Sequence, residues 1–250
     1  MKLFDANAWI GSWPFALAPA LDARGLAAEL RSHGIGTALV SPLAAVLAPE
    51  PGPANRLLRH ETRGVAGLTP VPVLNPALPG WRDELEACAA DPRVRAVRVL
   101  PAYHAYRVGG RALAECAAEL RRRGLRLIVQ ARLIDERHEF HAMQLKPVPT
   151  AELARFLARV APEPVLVCGL TRADIHALAP AAANLRADLS FAEWLEPVRD
   201  LRRKARIGQL VFGSNTPVLM PGAQVAKLAT ASAAECAAVG GGNLARFLRL

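Results

Sequence analysis

Short unbroken apolar runs alternate with longer stretches in which apolar residues return every three or four positions, and this alternation persists along the whole chain. The runs predict strands over Leu3–Trp9, Thr37–Ser41, Leu68–Leu74, Ala96–Leu100, Arg126–Gln130, Val165–Cys168, Asn184–Leu189 and Gln209–Phe212. The longer period predicts helices over Asp22–His33, Ala54–Arg63, Trp81–Ala90, Arg111–Arg123, Thr150–Val160, Thr171–Leu178 and Phe191–Lys204. Two short helices follow in Ala223–Leu250, broken at Gly240-Gly241-Gly242. The strand candidates are apolar throughout, the mark of a sheet covered on both faces. Parallel neighbours need crossover helices, so eight such units predict an α/β fold, a single (β/α)8 barrel. An open doubly wound sheet competes, but no GxGxxG follows the first strand and eight units favour closure. No Gly-, Ser- or Pro-rich linker divides the chain, so residues 1–250 read as one barrel domain.

Charge changes this picture little. Lys+Arg outnumber Asp+Glu by 31 to 22, a net +9. The densest runs, Arg121-Arg122-Arg123 and Arg202-Arg203-Lys204, fall near helix ends, where cations complement the helix dipole in solvent. With no helix-turn-helix, zinc-finger or RNA-recognition pattern, they predict no nucleic-acid partner, and an anionic small molecule stays compatible with them. The four cysteines are widely spaced without a CxxC pair, which suits buried free thiols in a reducing compartment. The chain opens on a strand instead of a signal-like segment, and no apolar run reaches about 18 residues. A cytoplasmic protein without membrane contact is expected; homo-oligomerisation is left open.

In a barrel of this kind the working residues stand on the loops after the strands. Those loops hold Asp5-Ala6-Asn7-Ala8-Trp9-Ile10-Gly11, Asn75-Pro76, Arg98-Val99-Leu100-Pro101, Phe212-Gly213-Ser214-Asn215-Thr216-Pro217 and, near the C-terminus, Gly242-Asn243-Leu244-Ala245. In this order the motifs resemble the amidohydrolase-related (amidohydrolase-2 type) proteins, metal-dependent hydrolases and decarboxylases on a (β/α)8 barrel. The resemblance runs over essentially the whole chain and implies that fold and a small-molecule substrate.

The departures from the family pattern concern its metal. Asp5 matches. Asn7 and Trp9 stand where the family has two histidine ligands, and Asn215 stands where it has an aspartate that is both ligand and base. The fifth-strand histidine corresponds to Gln130 or Arg132, and Cys168 and Gly169 lie near the sixth-strand position. An amide oxygen is a poor zinc ligand and an indole nitrogen is none. Without the carboxylate, the group that would take a proton from water is also missing. No metal and no other cofactor are therefore expected.

The candidate catalytic residues are His104, in Tyr103-His104-Ala105-Tyr106, and His141 with Asp135 to orient it. Arg132 and Arg137 could clamp a carboxylate or phosphate, or the same loop could be held by its own ion pairs. Asp5, Asn7, Trp9, Arg98, Tyr103, Gln130 and Asn215 complete the candidate substrate-binding set. Asn7 and Asn215 are expected to face each other across the barrel mouth, either reading a polar substrate or forming a hydrogen-bonded plug. Trp9 reads as packing or as a stacking platform; Arg98 could orient an acid group or pair with Asp5. No GxSxG elbow, P-loop or recognisable Cys–His pair is present. The reading is a metal-independent hydrolase or decarboxylase of a small polar or carboxylated molecule. The alternatives are an inactive barrel that binds a ligand or partner, and a metal-dependent hydrolase with unusual ligands.

Overall fold

The computed structural model describes residues 2–15, 18–135, 137 and 144–250. Its strands are β1 (Leu3–Ile10), β2 (Ile35–Pro42), β3 (Leu68–Pro70), β4 (Val73–Leu74), β5 (Ala96–Val99), β6 (Arg126–Gln130), β7 (Val165–Cys168), β8 (Leu185–Asp188) and β9 (Leu210–Val211). Every pair in the two runs β1-β2-β3 and β4 to β9 is parallel. β3 and β4 are halves of one barrel strand. They part at Val71-Pro72, where proline has no N–H to donate, yet the Val71 N–H still reaches the Val40 carbonyl and the Pro72 carbonyl accepts from Arg98. The ring shuts between its first and last strands. The Ala6 N–H donates to the Phe212 carbonyl at 2.9 Å, Asn215 N–H to the Asn7 carbonyl at 2.6 Å and Trp9 N–H to the Thr216 carbonyl at 2.8 Å. Eight strand positions therefore close into one barrel.

The helices α1 (Ala23–Ser32), α2 (Gly52–Glu61), α3 (Trp81–Ala89), α4 (Arg111–Arg122), α5 (Thr150–Val160) and α6 (Arg172–Leu178) return the chain between strands. Their apolar faces and the outward strand residues form the main core. Two expectations are corrected. The helix over Phe191–Lys204 shrinks to α7 (Pro197–Leu201), which starts at a proline suited to a first turn. The preceding loop stays irregular because the Lys227 ammonium takes its carbonyls, at Leu189 and Ser190, and the Glu193 carboxylate, all at 2.8 Å. The tail holds three short helices instead of two, α8 (Pro221–Ala226), α9 (Ala233–Ala237) and α10 (Asn243–Leu248). The glycine run does interrupt it, since Gly241 between α9 and α10 has a non-helical backbone, φ 177° and ψ −37°.

α10 stops the N-terminal end of the barrel. Leu244, Phe247 and Leu248 pack with the inward residues Ala6, Leu39, Val71, Ala96, Ile128, Leu166 and Val211. Asn243 explains the Gly-Asn motif: its amide donates to the carbonyls of Ile207 and Leu210, both at 2.7 Å, and so docks the helix on β9. The basic runs sit outside in ion pairs, Arg122 and Arg123 with Glu119 and Arg202 with Glu235. Cys88, Cys116 and Cys168 are free and buried, and Cys236 is free and half-buried. Among the described residues, no helix is long and apolar enough to cross a membrane.

Candidate functional site

The register of β1 against β2 shifts between Asp5 and Ala8, an irregularity of the kind that re-aims side chains, and Asp5, Asn7 and Trp9 are each fully buried. Asp5 fastens the barrel seam. It accepts from the N–H groups of Asn7 (2.9 Å) and Ser214 (2.8 Å) and from the Ser214 hydroxyl. Burial nevertheless outweighs these bonds and pushes the carboxyl up to about 7.

Asn7 is the hub. Its Nδ2 donates to Asp188 Oδ2 at 2.9 Å, and its Oδ1 accepts from Arg98 Nη1 at 2.5 Å. Gln130 Oε1 accepts from the same Nη1, and Gln130 Nε2 donates to the Arg132 carbonyl at 2.8 Å. The guanidinium carbon stands 4.3 Å from the centroid of the Trp9 ring, a cation–π arrangement. Asp188, which sequence reasoning missed, is the second buried carboxyl. It accepts from Gly169 N–H (2.9 Å), Ser190 Oγ (2.7 Å) and Asn7, and burial raises its pKa. The signal available for it was an acidic residue one position before the end of the strand candidate Asn184–Leu189.

One expectation changes here, and two open alternatives narrow. Asn7 and Asn215 do not face each other across the mouth; they are neighbours on the closing seam, joined by a backbone hydrogen bond. Asn215 uses its side chain on Trp9 Nε1, at 2.9 Å, and on the Leu133 carbonyl, at 2.7 Å. Arg98 is not paired directly with Asp5 but reaches Asp188 through Asn7. Trp9 stacks on Arg98 and is fully buried, so its ring is no exposed platform.

The residues at the centre do not fit a divalent metal. Asn7, Gln130 and Asn215 offer amides already bonded, Trp9 offers no lone pair, and burial holds the Cys168 thiol protonated by raising its pKa well above the usual value. Among the described residues, no three His, Cys, Asp or Glu side chains stand close enough together to bind a metal ion. Above all, a guanidinium, charged at any ordinary pH, already contacts Asn7, Trp9 and Gln130.

Over this sealed layer lie the loops of the mouth. His104 Nε2 is 3.0 Å from the Ala45 carbonyl. A carbonyl only accepts, so Nε2 carries the proton and Nδ1 keeps its lone pair. Nδ1 is buried and has no hydrogen-bond partner among the described residues. Burial also holds the imidazole below its usual pKa, so the ring is neutral at pH 7. Tyr103 meets the edge of Trp13 at 6.1 Å, and Trp13 meets Phe15 at 5.6 Å. Arg132 Nη1 donates to the Gly169 carbonyl at 3.0 Å and lies 3.7 Å from Asp174. Arg137 grips Asp135, Nε to Oδ1 at 2.8 Å. Asp135 thus has an arginine partner, while His141, with its proposed pairing to Asp135, lies outside the described residues.

Comparison of the whole fold with solved structures gives several full-length matches. A 5-carboxyvanillate decarboxylase from Sphingomonas paucimobilis superposes with a TM-score of 0.74 at 15% identity, covering 100% of this chain and 99% of that one. A dihydroxybenzoic acid decarboxylase from Polaromonas sp. JS666, solved with bound manganese and an inhibitor, gives 0.73 at 14%, covering 100% and 97%. An amidohydrolase from Mycobacterium avium subsp. paratuberculosis gives 0.65 at 16%, covering 91% and 73%. The fold is that of the amidohydrolase-related barrels. No protein-family model and no curated protein matches the sequence.

Proposed function

We propose that this chain is a metal-independent relative of the amidohydrolase-type enzymes that hydrolyses or decarboxylates a small polar or carboxylated molecule at the mouth of one barrel domain. The observation that carries the reading is His104, a neutral imidazole whose protonated nitrogen is fixed on a carbonyl and whose other nitrogen has no hydrogen-bond partner among the described residues. That is the state a general base needs before a reaction. Its Nδ1 would take the proton of an attacking water, or of a substrate hydroxyl, and return it to the departing group. Arg132, on the neighbouring loop, would favour a substrate with a carboxylate. The similar structures support the reaction class, since they include decarboxylases of aromatic acids and an amidohydrolase. Trp9, Arg98 and Asn215 would act from below by holding the floor of the site.

A second reading, a barrel that binds without turning over, is favoured by the centre itself. Asn7, Gln130 and Asn215 each use both ends of their amides within the protein. Incubation with a panel of lactones, amides and aromatic and aliphatic carboxylic acids, in the presence of chelator, separates the two. Turnover that His104→Ala reduces by about 10²- to 10⁴-fold supports the enzyme. Saturable binding without product for any member supports the second reading.

A further inference from the structure

β5 is apolar except for Arg98, and that side chain is fully buried. An isolated charge in such a place is strongly unfavourable unless its surroundings answer it. Here they answer it from three other strands. Both protons of Nη1 are taken, one by Asn7 Oδ1 of β1 and one by Gln130 Oε1 of β6. Asn7 passes the contact on to the Asp188 carboxylate of β8. The face of Trp9, also from β1, lies against the guanidinium. The family pattern places metal ligands at the positions of Asn7 and Trp9 and at that of Gln130 or Arg132, and Asn7, Trp9 and Gln130 all touch this one cation.

We propose that the Arg98 guanidinium stands in the place of the metal ion in this barrel, as a built-in structural cation that joins β1, β5, β6 and β8 around Asp188. It cannot dissociate, so the cation is in place whether or not divalent ions are available. Its Nη1 protons are on two amides, Nη2 is 3.5 Å from the Ala6 carbonyl, and its buried Nε–H is without a hydrogen-bond partner among the described residues. It also does not serve as the recognition group for a substrate acid, since the side chain is fully enclosed. The inference rests on the metal-free reading of the centre but not on turnover, so an absence of catalysis leaves it standing.

Arginine differs from a neutral or point-charge replacement in ways that can be measured. Arg98→Met keeps length and volume but removes the charge, leaving Asp188 and Asn7 without their cation; its melting temperature is expected to fall by several degrees or more. Arg98→Lys keeps the charge but lacks the planar donor pair that reaches two amides at once, and is expected to fall between Arg98→Met and wild type. Arg98→Ala opens space of the right shape and charge for methylguanidinium. Added at millimolar concentration, methylguanidinium is expected to raise the melting temperature of Arg98→Ala while urea, a neutral molecule of similar shape, does not. Wild-type protein is expected to melt at the same temperature in EDTA and in excess manganese. If the substitutions leave no folded protein to melt, nitrogen-15 NMR of the wild type decides: one arginine should show guanidinium protons strongly protected from solvent exchange and unmoved by added benzoate. Arg98→Met melting at or above wild type would overturn the proposal. So would wild type that loses stability in EDTA, or an Arg98 signal that exchanges freely and shifts with benzoate.

Discussion

A buried carboxyl is where residue-scale electrostatics becomes measurable in this protein. Asp5 holds its proton up to about 7, against the usual 3.8. Between those values the folded state keeps a proton that the unfolded chain releases. Stability therefore falls as pH rises through that window, with a slope of up to about 1.4 kcal/mol per pH unit from this group. Asp188, also raised by burial, adds the same sign. Asp5→Asn should flatten the profile of melting temperature against pH. It should also fold, because its Oδ1 still accepts the two N–H bonds while the amide faces a Ser214 hydroxyl that can donate to Thr216 instead. A profile unchanged by this substitution would show that Asp5 is ionised throughout. His104 gives the complementary expectation for activity. Its pKa is lowered by burial, so the acid limb of kcat/KM should lie below 6.5 and vanish, with the activity, in His104→Ala.

At the scale of elements, close approach of the loops makes its own demand. Gly169 has φ +81°, and a Cβ there would stand 2.0 Å from the Arg132 carbonyl oxygen. Gly34 has a similar φ, +77°, with nothing within 4 Å of the same point. Gly34→Ala should cost about 1–2 kcal/mol, the left-handed strain alone, whereas Gly169→Ala should cost clearly more because backbone must move; chemical denaturation of the two variants tests the ranking. The strands themselves were legible in the sequence because burial of both faces leaves them as unbroken apolar runs too short for helices. The helix expected over Phe191–Lys204 was not, since Lys227, more than twenty residues away, decides where those carbonyls go. The candidate site was legible as a set of positions after strands and as a loss of metal-binding side chains. What those positions do instead was not. Whether Arg98 meets Asp5, Asn7 or a substrate depends on how far β5 is staggered against β1 around the ring, and residue spacing does not encode that stagger. His104 was found by its loop position alone; the carbonyl of Ala45 that sets its tautomer comes from another loop.

For the molecule as a whole, the two ends of the barrel are held differently. The N-terminal end is an apolar stopper, and Phe247, 3% exposed, is its largest piece. Phe247→Ala should lower stability by about 3–5 kcal/mol, read from urea unfolding, as expected for removing a buried aromatic ring. The seam is held by Asp5 and Ser214, 209 positions apart in sequence. On a ribosome adding about 5–20 residues per second, β1 then waits some 10–40 s for its partner. Through that interval the growing sheet has two free margins, β1 on one side and the newest strand on the other, each able to pair with a neighbouring nascent chain. Translation speed over the codons between Asp5 and Ser214, and the chaperones present while they are read, therefore bear on the yield of this protein as directly as any contact inside the finished ring.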